Sequence, residues 1–253
     1  MSTASTLFFN RLEIKYLVDR TTRTALARDL AAFMRPDTHA GNDGCYQVRS
    51  LYFDTPNYAA YHEKLSGQAV RHKLRVRAYG EDPMLSALVR LEVKSRYLSY
   101  VRKITVDVSR EDYGEIACAL QQRTLPPPRF LEDNKNSREF FRVQRQYNMQ
   151  PVILIEYRRQ AFERMEINRT RVNFDDQLIA SRNLDLLGSM SGARRMLEYG
   201  HAIFEIKVDN TMPYWLHMLI SKYDLNNEAI SKYCYAVRSE AKFSAVDRWD
   251  QAL

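Results

Sequence analysis

Six segments of the chain alternate apolar and polar residues with a period near two. Residues 12–17 read LEIKYL, 73–79 KLRVRAY, 91–96 LEVKSR, 102–108 RKITVDV, 169–175 RTRVNFD and 203–208 IFEIKV. That period puts the two residue classes on opposite faces of an extended chain, so each segment is expected to be a half-buried strand. Residues 48–54 and 152–159 are more apolar and less alternating. They bring the expectation to about eight strands, enough for a small closed barrel. Helical spacing appears over 21–34, where Ala25, Leu26, Leu30 and Phe33 share a face. Thr55 and Pro56 read as a cap and first helical position leading into 58–65. Ser109 with Asp112 resembles a capping box ahead of 116–120. Residues 129–147, 213–222 and 228–242 complete the predicted helices. The one clear break is the run Pro126, Pro127, Pro128, which either divides the chain or crosses the surface of a single domain.

The polar strand faces are unusual in what they carry. They hold Glu13 and Lys15; Lys73, Arg75 and Arg77; Glu92 and Lys94; Lys103; Arg171; and Glu205 and Lys207. Glu-x-Lys occurs three times, and residues two apart on a strand project from the same face. One reading is a solvated outer face with incidental salt bridges, the usual fate of exposed charge. The other is a barrel whose apolar faces pack outward on helices and whose charged faces line the interior. Like charges so confined repel, which disfavours the empty state and favours a dense polyanion inside. The few carboxylates are then candidates to hold a divalent cation against phosphate oxygens.

Composition sharpens this only slightly. The 253 residues carry a formal net charge of +7, which leans towards a polyanionic partner without choosing among nucleic acid, phosphate compounds and lipid headgroups. With 45% hydrophobic residues the chain can bury a core, so wholesale disorder is excluded. A single domain over 1–253 is the expectation. Cys45, Cys118 and Cys234 are widely spaced, which speaks against a disulfide framework or a zinc site. The start MSTASTLFFNR lacks the basic and apolar regions of a signal peptide, and no window approaches the ~18 apolar residues of a membrane span. A soluble, cytoplasmic protein is expected. A nucleic-acid binder would place aromatics beside its basic residues on one open face. The strict alternation here argues instead for enclosure, so no nucleic-acid partner is expected. No Walker A loop, GxGxxG or HExxH appears.

The segments also resemble a known family. RLEIKY at 11–16, RSLYFDT at 49–55, RHKLRVR at 71–77 and LEVK at 91–94 match the VTC domain in order. So do IEYRR at 155–159, RVNFD at 171–175, FEIK at 204–207 and SKY at 231–233. The VTC domain is the polyphosphate polymerase branch of the triphosphate tunnel metalloenzymes, and the resemblance covers about residues 8–240. It implies an α+β fold: an eight-stranded antiparallel tunnel with a charged interior, flanked by helices. It implies transfer of the γ-phosphoryl of ATP onto a growing polyphosphate, with Mn²⁺ or Mg²⁺ held by Glu205. By motif it assigns phosphate binding and catalysis to Lys15, Arg75, Arg77, Lys94, Lys103, Arg159, Arg171, Lys207 and Lys232. Arg159 is preferred to Arg158 because period two puts it on the face of Tyr157.

Departures bear on the activity. Related enzymes that hydrolyse triphosphate or cyclise ATP usually begin Glu-x-Glu-x-Lys, and Arg11 stands where that first Glu would be. This favours the polymerase, with a tunnel triphosphatase or a non-catalytic polyanion binder as alternatives. The inositol-phosphate sensing domain and membrane spans of eukaryotic relatives are not in this sequence, so regulation by inositol phosphates and product translocation are not implied, and a separate membrane partner is left open. His62, His72 and His201 are expected to be structural or exposed, and Tyr97 and Tyr100 to serve packing. Asp54 and Asp175 are expected to partner basic residues.

Overall fold

The computed structural model describes residues 5–8, 11–41, 43–98, 100–164, 169–209 and 211–240; for residues 5–8 and Arg11 only the backbone is described. Residues 1–4 and 9–10 of the N-terminal stretch lie outside these, as do 241 and 242 of the helix expected over 228–242.

All eight expected strands form. They are β2 (Arg11–Val18), β4 (Cys45–Asp54), β5 (Val70–Gly80), β6 (Leu88–Tyr97), β7 (Tyr100–Ser109), β8 (Gln150–Arg164), β9 (Thr170–Ser181) and β11 (Ala202–Asp209). Three short strands were not anticipated, β1 (Ser5–Phe8), β3 (Arg35–Pro36) and β10 (Arg194–Arg195). None is long enough to show a period of two. The fold is α+β, an antiparallel sheet flanked by helices.

The chain packs as two compact units. One gathers the described residues within 1–9, 49–155 and 181–191; the other gathers those within 10–48, 156–180 and 192–253. The proline run lies inside the first unit and marks no boundary. β4 and β8 each contribute residues to both units.

In the first unit the strand order is β1–β7–β6–β5–β4–β8. Leu74, Val76, Val89, Leu91, Val93, Ile104 and Val106 occupy one face and are buried. They pack against Tyr113 and Ile116 of α3 (Arg110–Gln122), Phe130 of α4 (Arg129–Glu132) and Phe140, Phe141 and Val143 of α5 (Lys135–Gln146). In the second unit the order is β8–β9–β11–β2. Tyr16, Val172, Phe174, Phe204 and Ile206 pack against Leu26 and Leu30 of α1 (Arg20–Leu30) and Leu216 and Leu219 of α6 (Tyr214–Lys222). In each unit, then, helices take the apolar strand faces, and the charged residues occupy the opposite ones.

The helix expected over 21–34 ends early, at Leu30, and three other helix boundaries differ from the sequence expectation where polar caps act. The helix after Thr55 starts late, as α2 (Ala59–Leu65), with Tyr58 in the left-handed region at φ 57°. Pro56 sits in the preceding turn. Thr55 does cap the helix, its Oγ1 accepting from Ala59 N at 2.9 Å, and the buried Asp54 carboxylate adds bonds from Ala60 N at 2.8 Å and Tyr61 N at 3.0 Å. The single helix expected over 129–147 is two, because Asn134 interrupts it and accepts from Asn136 N and Ser137 N. The last helix is α7 (Lys232–Ser239), capped by Ser231. The chain before it is non-helical, and Glu228 N donates to Lys15 O at 2.9 Å. Ser109 caps α3 through Asp112 N, as its spacing implied. No helix of the described residues is long and apolar enough to cross a membrane.

Asn134→Ala is expected to cost about 1 kcal/mol, the usual worth of a helix N-cap. A urea titration should show the midpoint lowered with the slope unchanged.

Candidate functional site

Each unit carries a charged face, built by strand register. In the first, the register sets Lys73 opposite Lys94 and Lys94 opposite Lys103. One row on, Arg75 faces Glu92 and Glu92 faces Thr105; the next row pairs Arg77 with Arg90 and Arg90 with Asp107. Like charges directly opposite on neighbouring strands repel. What holds this face together is Glu92, whose side chain is 2% exposed. Its Oε2 accepts from Arg75 Nε and lies 3.5 Å from Arg77 Nη1, and its Oε1 lies 2.8 Å from Lys103 Nζ. Burial alone would raise the Glu92 pKa; Arg75, Arg77 and Lys103 outweigh it and hold the carboxyl well below its ordinary range. Lys103 is displaced downward, because burial together with Arg75 and Arg77 outweighs Glu92. At the edge of the face, Arg90 forms a two-point pair with Asp107 at 2.6 and 2.8 Å. Arg77 Nε donates to Ser50 Oγ at 3.1 Å.

In the second unit two carboxylates play the part of Glu92. Glu205 faces Lys15 on β2 and Asn173 on β9. Its Oε1 lies 3.3 Å from Lys15 Nζ, and its Oε2 accepts from Lys207 Nζ at 2.7 Å and Asn173 Nδ2 at 3.1 Å. Arg159 Nη2 is 3.7 Å from the same oxygen. Asp175 is fully buried and binds Arg159 through both oxygens, at 2.6 and 2.8 Å; Lys232 Nζ, on the first turn of α7, stands 2.6 Å from its Oδ2. Both cations lie over the Tyr157 ring, Arg159 at 5.2 Å and Lys232 at 4.9 Å. Arg171 is held by Asp37 and donates to Tyr46 Oη at 3.2 Å.

Proton affinities follow from these contacts. Burial works to raise the pKa of Glu205, but Lys207, Lys15, Lys232 and Arg159 hold it well below its ordinary range. Asp175 is brought down to about 2 in spite of burial, by Arg159 and Lys232. The two lysines on Glu205 part company. Burial opposes the charge on Lys15, but Glu205 and Glu13 prevail and raise its pKa. For Lys207, burial and the Arg159 charge prevail over Glu205 and bring the ammonium down to about 8.

The VTC domain profile matches residues 10–240. The chain belongs to the VTC domain family. No match was found among curated proteins. Solved structures with a similar course of the chain include a provisionally assigned adenylate cyclase from Bacillus halodurans, at 13% identity and TM-score 0.49, covering 89% of this chain and 95% of that one. Another from Vibrio parahaemolyticus has 13% identity and TM-score 0.46, covering 88% and 94%. A Pyrococcus horikoshii protein has 9% identity and TM-score 0.44, covering 90% and 98%.

The residues assigned from the VTC motifs fall into two groups. Arg75, Arg77, Lys94 and Lys103 share the face of the first unit. Lys15, Arg159, Arg171, Lys207, Lys232 and Glu205 gather in the second. Arg158 points elsewhere and pairs with Asp43 at 2.9 Å, so the choice of Arg159 agrees with the geometry. The expectation of unrelieved repulsion is corrected: the cations are spaced by ionised, buried acids. Tyr100 is also corrected, being 74% exposed, whereas Tyr97, though 45% exposed, packs edge-on against the His72 ring at 5.6 Å. His62 is exposed, and His72 is buried beside Ser95.

Sequence reasoning missed Asn173, although it lies two residues from both Arg171 and Asp175 on one strand face. It also missed Asp37, which sits just after the two-residue β3 and shows no periodicity.

Among the described residues no three acids or histidines gather as a self-sufficient metal site. Glu205 does fit a narrower role. It is buried, ionised and acceptor-only, and Mg²⁺-type ions are often held by one or two carboxylates with phosphate oxygens completing the shell.

Two expectations follow. Removing Arg75 and Arg77 by alanine substitution takes two of three cations from the buried Glu92, leaving Lys103, and should cost about 3 kcal/mol of stability. Adding Glu92→Gln to the double variant should recover part of that loss in denaturant melts. For Lys207, the unfolded chain holds a proton more tightly than the folded one between pH about 8 and its ordinary 10.5. Its contribution to stability therefore rises with pH across that window. Melts of the wild type and Lys207→Met should diverge there, with the rise flattened in the variant.

Proposed function

We propose that this VTC domain is a metal-dependent polyphosphate polymerase that transfers the γ-phosphoryl group of ATP onto inorganic polyphosphate. One observation carries the reading. On the first unit's face Lys73, Lys94 and Lys103 stand side by side in register, flanked by Arg75 and Arg77, with Glu92 as the central acid. A fold gains nothing from aligned like charges. A chain of phosphates, carrying regularly spaced negative charge, turns that cost into binding.

The chemistry asks for what these faces supply. Phosphoryl transfer depends on positioning and charge neutralisation more than on covalent help from the protein. Arg75, Arg77, Arg159 and Arg171 offer planar forks suited to phosphate oxygens, and Lys15, Lys94, Lys103, Lys207 and Lys232 add compact charge. Glu92, Glu205, Asp175 and Asp37 fix these side chains before any ligand arrives, which limits reorganisation during the reaction. Glu205 would hold Mn²⁺ or Mg²⁺ together with phosphate oxygens; such an ion supplies further neutralisation of charge on the transferred group.

Incubation with ATP and Mn²⁺ should yield long-chain polyphosphate on a gel. Release of free phosphate without polymer would favour a triphosphatase instead, and neither product would leave a binding module. Separately, Mn²⁺ titrations at saturating tripolyphosphate should show clearly weaker metal binding for Glu205→Gln. An unchanged Mn²⁺ affinity would remove Glu205 from the metal role.

A further inference from the structure

The apolar face of β5, β6 and β7 runs one row past the helices that cover it. α5 crosses all three strands and ends at Gln146. His72, Ser95 and Arg102 form the last row beneath it, where the Tyr147 ring packs tilted against His72 with ring centroids 4.5 Å apart. The next row is Val70, Tyr97 and Tyr100, opposite one another in register. Val70 is 49% exposed, and Leu98, at the turn of the β6–β7 hairpin, is 67% exposed. Val70, Tyr97 and Tyr100 form one row at the end of the sheet, and Leu98 follows Tyr97 in the chain. Single exposed apolar residues are ordinary, but a contiguous group marks an interaction surface.

Three arginines lie around the group. Arg96 is exposed on the same strand as Tyr97, and its Nε donates to Leu98 O at 2.7 Å. Arg102 and Arg142 are about half exposed. The acid among them, Glu139, lies 3.7 Å from Arg102 and is bound by Arg142 at 2.6 Å. Two such surfaces from separate copies would repel, which disfavours self-association. Tyrosine with aliphatic side chains, ringed by arginine, suits the boundary between lipid headgroups and acyl chains.

We propose that the tip of the β6–β7 hairpin, through Val70, Tyr97, Leu98 and Tyr100, docks this domain on an anionic lipid surface. Leu98 and Tyr100 enter the interface, and Arg96, Arg102 and Arg142 meet lipid phosphates and carboxylates. Docking of this kind needs no membrane-spanning helix. It is independent of the polymerase reading, since the tip contains none of the residues assigned to phosphate transfer.

The test is co-sedimentation with vesicles of phosphatidylcholine alone and of phosphatidylcholine with phosphatidylserine. The variant Leu98→Asn with Tyr100→Ser removes both exposed apolar groups. Asparagine also suits the left-handed backbone of Leu98, at φ 56°, so the fold should be kept, as a thermal melt will show. Wild type should bind the anionic vesicles, and the variant should bind them at least about tenfold more weakly. Arg96→Ala should weaken binding roughly fivefold. Saturating tripolyphosphate should leave binding intact, since it occupies the basic faces rather than the tip. Equal binding by the double variant, displacement by tripolyphosphate, or no preference for phosphatidylserine would each overturn the proposal. So would failure of wild type to bind while the tip variants abolish a dimer or the capture of an acidic protein.

Discussion

Buried carboxylates are the constraint on which the rest of this structure depends. A sheet face populated by lysine and arginine cannot persist unless something of opposite charge spaces them. Glu92 does so in the first unit, and Glu205 with Asp175 in the second. Each is nearly inaccessible to water, each is bound by at least two cations, and each is kept ionised by them. Burial makes an unpaired charge expensive, so the cations and acids are mutually obligatory. The basic side chains are consequently fixed in place without ligand. Preorganisation of this kind is what a site acting through charge requires.

The acids differ in what they leave available. Asp175 is committed to structure: both oxygens bind Arg159, and Lys232 completes its shell. Glu205 is held closely by Lys207 at 2.7 Å, with Lys15 at 3.3 Å and Arg159 at 3.7 Å further off. An approaching phosphate can take over those cations, and that would release carboxylate oxygens for a divalent ion. The divergence of Lys15 and Lys207 belongs to the same arrangement. Glu205 and Glu13 favour the charge on both lysines, but for Lys207 burial and the Arg159 charge outweigh them.

Much of this was legible in the sequence, and for identifiable reasons. The period of two in LEIKYL, KLRVRAY and IFEIKV separates core from charged face with no knowledge of partners, and every strand so read formed. The ordered motifs gave the family. Lateral register was not legible. Nothing in LEVKSR says that Glu92 will stand between Arg75 and Thr105 rather than one row away, and that choice sets a buried acid among the cations. Caps were readable only in part: Ser109 and Thr55 were found, whereas Asp54 acts from beyond a turn and Asn134 interrupts an otherwise helical run. Tyr97 and Tyr100 were taken for packing residues because their strands pack; only the end of α5 shows that their row is uncovered.

The extended segment before α7 has a practical consequence for protein engineering. Lys232 reaches Asp175 because the chain after α6 returns along β2, where Glu228 N is bonded to the carbonyl of Lys15 itself. A shortened version ending after α6 would look reasonable on paper, since it keeps every strand. It would nonetheless delete one of the two cations on a fully buried aspartate and loosen the backbone beneath Lys15. Expression boundaries, purification tags and fusion partners therefore belong beyond α7, and a preparation trimmed by protease at 224–230 should be judged a different protein from the intact one.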